Sequence, residues 1–97
     1  MTLLTRRLSI HGRVQGVGFR WALGAEARAL GLRGWVRNRS DGSVEALVSG
    51  TPEAVEALTA WAHRGPSVAF VERVLCNDDP VTETPAVAQG FEQRPTF

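Results

Sequence analysis

The chain has no lysine, a single cysteine and no run of about 18 apolar residues. Cys76 has no partner for an internal disulfide, so nothing in the sequence asks for an oxidising compartment. No set of Cys and His has the spacing of a zinc site. The N-terminal Met-Thr-Leu-Leu-Thr-Arg-Arg places its charges after a very short apolar stretch, unlike a secretory leader. The expectation is a cytoplasmic protein that is neither exported nor membrane-spanning. With 97 residues, 43% hydrophobic and 22% charged, the chain has the length and make-up of one soluble domain over 1–97. A domain of this size hides roughly two-thirds of the surface of its unfolded chain.

The net charge of +1 conceals an uneven distribution. Residues 1–39 hold eight arginines against Glu26 alone, whereas residues 40–97 hold three arginines against nine acids. Such asymmetry marks either an anion-binding side or a fold that interleaves the halves until the charges compensate. All eleven basic residues are arginine, which fits coding bias as well as a need for bidentate anion contacts, and no function is read from it.

From Arg7 to Val14 the chain alternates, with Leu8, Ile10 and Gly12 on one side and Arg7, Ser9, His11 and Arg13 on the other, as in a half-buried strand. After Gln15-Gly16-Val17-Gly18, the residues Phe19, Leu23, Ala27 and Leu30 recur at helical spacing, with Gly31 as the stop. Leu32–Arg39 and Ser43–Gly50 flank Ser40-Asp41-Gly42 and read as a β-hairpin. Thr51-Pro52-Glu53 is a helix start, and His63-Arg64-Gly65-Pro66 its stop. Val68–Cys76 reads as a strand broken by a bulge near Glu72-Arg73. A loop over 77–90 and a short strand near Phe91–Arg94 complete the chain. The resulting β-α-β-β-α-β order makes an antiparallel sheet with both helices on one face.

Gly12-Arg13-Val14-Gln15-Gly16-Val17-Gly18-Phe19-Arg20 joins a strand to a helix start. Unsatisfied amides at a helix N-terminus, together with a guanidinium, suit a phosphate. On spacing alone an ordinary glycine turn remains the commoner outcome, since neither the Walker nor the dinucleotide pattern is complete.

This stretch, followed by Gly31-Leu32-Arg33-Gly34-Trp35-Val36-Arg37-Asn38 and Asp41-Gly42-Ser43-Val44-Glu45, resembles the acylphosphatase family in wording and spacing. The resemblance runs from the first strand through Gly65-Pro66. It implies an α+β fold, a ferredoxin-like split β-α-β sandwich. It also implies metal- and cofactor-independent hydrolysis of a small-molecule acyl phosphate to a carboxylate and inorganic phosphate. By the family pattern Arg20 binds the phosphate, the loop of Gln15, Gly16, Val17, Gly18 and Phe19 cradles it through backbone amides, and Asn38 positions the attacking water. A monomer with no nucleic-acid or membrane partner goes with it.

The chemistry accords with what is missing, because a carboxylate leaves readily and the work is to hold phosphate charge and align one water. The alternative is a non-catalytic anion- or RNA-binding module on the same fold. Against it, the outward positions of strand one carry no aromatic for base stacking. Arg37 and Arg39 are expected to be solvated, Trp21 to pack on the loop's rim, and Trp35 and Trp61 to pack inside. Gln93 falls where the family places an aliphatic residue, so a glutamine facing the core would need partners.

Overall fold

The computed structural model describes residues 3–78 and 91–96. Its elements are β1 (Leu4–Arg13), α1 (Phe19–Ala29), β2 (Arg33–Asn38), β3 (Val44–Gly50), α2 (Pro52–Arg64), β4 (Phe70–Asp78) and β5 (Phe91–Gln93). They form one five-stranded sheet in the order β4-β1-β3-β2-β5. The β1–β3, β1–β4 and β2–β3 pairings are antiparallel, and β5 adds to the edge of β2 in parallel. This is the ferredoxin-like sandwich that the sequence implies. Asn77 and Asp78 extend β4, and the rest of the expected 77–90 loop lies outside the described residues.

Both helices cover one sheet face. Leu8, Ile10, Val36, Val44, Ala46 and Val48 from the strands meet Phe19, Leu23, Ala27, Val55, Leu58 and Ala62 from the helices in a single apolar cluster. Each large aliphatic side chain withdrawn in this way stabilises the fold by roughly 1.5–3 kcal/mol. Phe19 and Trp61 lock the helices together with ring centroids 5.5 Å apart and tilted by 52°.

β1 begins three residues earlier than its alternation suggests, because a charged residue holds an inward position. Arg6 is only 9% exposed. It donates to both oxygens of Asp78, to Glu56 Oε2 at 3.2 Å and to Thr59 Oγ1 at 3.0 Å. A buried guanidinium needs such a set of acceptors, and this one ties β1 to α2 and β4. The irregularity expected near Glu72-Arg73 is present: His11 pairs with Arg73 and Gly12 with Val71, leaving Glu72 as the extra residue.

Among the described residues no helix lies over the other sheet face, and arginines cover it instead. Trp35 is 2% exposed, with the guanidinium carbons of Arg37, Arg94 and Arg7 at 4.8, 4.9 and 5.9 Å from its ring centroid. Beside it the buried Glu45 accepts from Arg7 at 3.0 Å and Arg37 at 2.8 Å, with Arg39 at 3.4 Å. Burial acts to raise the pKa of Glu45, but these partners outweigh it and hold the carboxyl below its usual range. The expectation of solvated Arg37 and Arg39 is therefore corrected. Alternation does send them away from Asn38, but the face they reach holds a carboxylate and an indole.

Candidate active site

β1 leaves the sheet at Val14, whose buried side chain anchors the loop that follows. Gly16 and Gly18 then turn the chain at φ 74° and 77°, a conformation costly for most side chains. Gly18 is also the residue that starts α1, and its carbonyl accepts from Ala22 N at 2.9 Å. No side chain caps this helix start and no acidic residue lies in its first turn. The first amides of a helix have no partner within it, and the positive end of its dipole favours an anion. Both properties are left intact at α1.

Arg20 rises from the first turn of α1, and Nη1 donates to the backbone carbonyl of Arg94 at 3.1 Å. That is the only hydrogen-bond partner of its guanidinium among the described residues, none of which offers it a carboxylate. Asn38 ends β2, opposite Val44 of β3. The hairpin beyond it is closed by Asp41 Oδ1, which accepts from Ser43 N at 2.9 Å and Ser43 Oγ at 2.6 Å. These bonds lower the pKa of Asp41 and keep it an acceptor. Asn38 Oδ1 is buried with no hydrogen-bond partner among the described residues. Buried amide oxygens are almost always paired, so an orphaned one marks a place for a donor.

An open cleft of about 420 Å³ gathers these groups, its walls made by Val14, Gly16, Gly18, Phe19, Arg20, Trp21, Asn38 and Gln93. Of the residues singled out in the sequence, Gly16, Gly18, Phe19, Arg20 and Asn38 thus converge. Val17 packs against the core cluster. The side chain of Gln15 turns away from the cleft wall: Nε2 donates to Arg39 O at 2.7 Å and Ser43 O at 2.9 Å. It braces the glycine loop against the hairpin that carries Asn38, a role that its place in a loop motif did not reveal.

Gln93 takes the place where the family pattern has an aliphatic residue, yet it does not enter the core. It is exposed, forms part of the cleft wall, and sends Nε2 toward Arg20 O at a long 3.4 Å. Phe91, two residues earlier, fills the core instead at 5% exposure.

Among the lining residues there is no serine, cysteine, histidine or carboxylate to serve as nucleophile or proton shuttle. A cation, helix amides and a side-chain amide are groups that grip an anion and orient a neutral reactant. The fold and cleft thus define a class, small α+β proteins that act on a compact anion by positioning it.

The acylphosphatase family model matches residues 6–92. An acylphosphatase of Acidovorax sp. (strain JS42) is 58% identical over 94 residues, covering 96% of this chain and 92% of that protein. One from Thermococcus kodakarensis is 52% identical over 92 residues, covering 95% and 97%. Among solved structures, an acylphosphatase from Coxiella burnetii superposes with a TM-score of 0.85 at 34% identity, covering 95% of this chain and 93% of that one. The chain belongs to the acylphosphatase family, and its activity is the hydrolysis of acyl phosphates.

Proposed function

We propose that the cleft holds the phosphoryl group against the 15–20 amides and Arg20 while Asn38 presents the attacking water, with no metal taking part. The observation that carries this reading is that Asn38, whose buried Oδ1 has no hydrogen-bond partner among the described residues, lines the same cleft as Arg20. Oδ1 accepts a hydrogen bond from the water, which turns a lone pair of the water toward phosphorus, and Nδ2 is available to donate to a phosphoryl oxygen. The water oxygen bonds to phosphorus as the bond to the acyl oxygen breaks. That bonding pair leaves with the carboxylate, and both water protons end on inorganic phosphate.

A carboxylate is a weakly basic leaving group, so no general acid is needed. Equatorial charge is met by the guanidinium and the helix amides, which are in place before reaction and need no reorganisation. Gln15 keeps the phosphate loop and the water-binding strand at a fixed separation. Trp35 supports this reading over a base-stacking module, since arginines cover the indole on the open sheet face.

The same reading has the enzyme working in the cytoplasm. There Cys76 stays a thiol, its pKa pushed up chiefly by desolvation, which outweighs the lowering by Arg6. The test is hydrolysis of benzoyl phosphate in EDTA by the wild type, Arg20→Ala and Asn38→Ala. Undiminished turnover by either variant would overturn its assigned role. Loss of wild-type turnover on chelation would overturn metal independence.

A further inference from the structure

Trp21 stands out from the rest of the cleft. It is the large side chain of the first turn of α1, next to Arg20, and it is 70% exposed. It contributes to the cleft wall, whereas the other apolar members, Val14 and Phe19, are each 1% exposed and offer little accessible surface. An indole left in water beside a charged site takes nothing from core packing, but it presents a flat apolar platform of the kind that anchors ligands.

The in-line geometry of phosphoryl transfer says what would meet that platform. Water enters on one side of phosphorus and the leaving oxygen departs on the other. Asn38 Oδ1, the water's acceptor, is buried, so the opposite side of phosphorus, where the acyl group sits, points toward the open mouth. Trp21 is the exposed large apolar side chain of that mouth.

We propose that Trp21 forms an acyl-side subsite that favours aromatic acyl phosphates over small aliphatic ones. The inference rests on the phosphate-site reading above and deepens it to a substrate class. An indole and a phenyl ring gain from offset or edge-to-face stacking, whereas an acetyl group has no ring to stack.

The experiment compares kcat/KM for benzoyl phosphate and acetyl phosphate in the wild type, Trp21→Ala and Trp21→Phe. The benzoyl-to-acetyl ratio is expected to fall about 3- to 10-fold in Trp21→Ala and to be largely kept in Trp21→Phe. A ratio unchanged in Trp21→Ala overturns the proposal, including the case in which both substrates weaken equally.

A second readout uses benzylphosphonate, which has no acyl-phosphate bond to hydrolyse. Its binding should change tryptophan emission in the wild type and leave it unchanged in Trp21→Phe. A change that persists in Trp21→Phe overturns the subsite. Arg20→Ala, assayed in parallel, separates the two levels: if it kept full activity on both substrates the phosphate-site reading would fail, whatever the ratio does.

Discussion

At the start of α2, Thr51 Oγ1 accepts a hydrogen bond from Ala54 N at 3.2 Å, Pro52 takes a position where no amide is missed, and Glu53 sits in the first turn. At the start of α1, Gly18 stands where Thr51 stands in α2, no side chain accepts, and no acid follows. The same chain therefore closes one helix end with its own atoms and keeps the other open. A side-chain cap is worth about 1 kcal/mol, so α1 forgoes a modest stabilisation and keeps amides and dipole for a ligand. An uncapped helix start beside an arginine with no carboxylate partner among the described residues is thus a more telling sign of function than either feature alone.

The contrast can be broken most severely at Arg20. Arg20→Ala should lower kcat/KM for acyl phosphates by about a thousandfold or more. Inorganic phosphate, which should raise the melting temperature of the wild type, should no longer do so in the variant. Asn38→Ala should cost about 100- to 1000-fold in kcat while competitive inhibition by phosphate stays close to the wild-type value. Retained kcat in that variant would remove the water-positioning role.

Gly18→Asp would give α1 the kind of start α2 has. Aspartate is among the side chains that tolerate the left-handed conformation, and its carboxylate would take the helix amides and repel the substrate. Activity should fall about 100-fold, with the loss appearing chiefly in KM. A variant as active as the wild type would show that the open helix end contributes nothing to binding.

On the open sheet face the expected effects are on stability. Glu45→Gln should cost about 2 kcal/mol, less than for a fully enclosed pair because Arg39 is 38% exposed in its side chain. The pH dependence follows from the lowered carboxyl. Glu45 binds a proton more readily when unfolded than when folded, so its contribution is complete above the ordinary glutamate range. That contribution is lost as pH falls through that range and below the folded-state value. Denaturant melts across acidic pH should show the loss in the wild type, and a smaller one in Glu45→Gln. The smallest effect should be that of Thr51→Ala, about 1 kcal/mol of stability with unchanged kcat, measured by denaturant unfolding.

Much of this was legible in the chain. Alternation and helical spacing located the strands and both helices, and the Thr-Pro-Glu start of α2 was read to the residue because capping is local chemistry. Arg20 and Asn38 were legible through the motif wording. The Gln15 brace was not, because its partners are backbone carbonyls 24 and 28 residues away, and no residue type advertises a carbonyl. Nor was the Arg6 cluster, whose charge interrupts the apolar pattern that reveals a strand. The Glu45 cluster could have been found: carrying the hairpin register back from the Asp41-Gly42 turn puts Glu45 opposite Arg37. The placement of Gln93 was left open by the sequence, because residue type alone does not say that a position at the end of the edge strand β5 opens into the cleft.

The chain contains three tryptophans and no tyrosine. Trp21 stands in water at the cleft mouth, Trp61 packs on Phe19 between the helices, and Trp35 lies beneath guanidinium groups on the opposite sheet face. With no phenol to add its own light, each indole is a native optical probe of a separate district of the molecule. Single-tryptophan variants could therefore follow the cleft, the core and the arginine-covered face one at a time, with no dye attached.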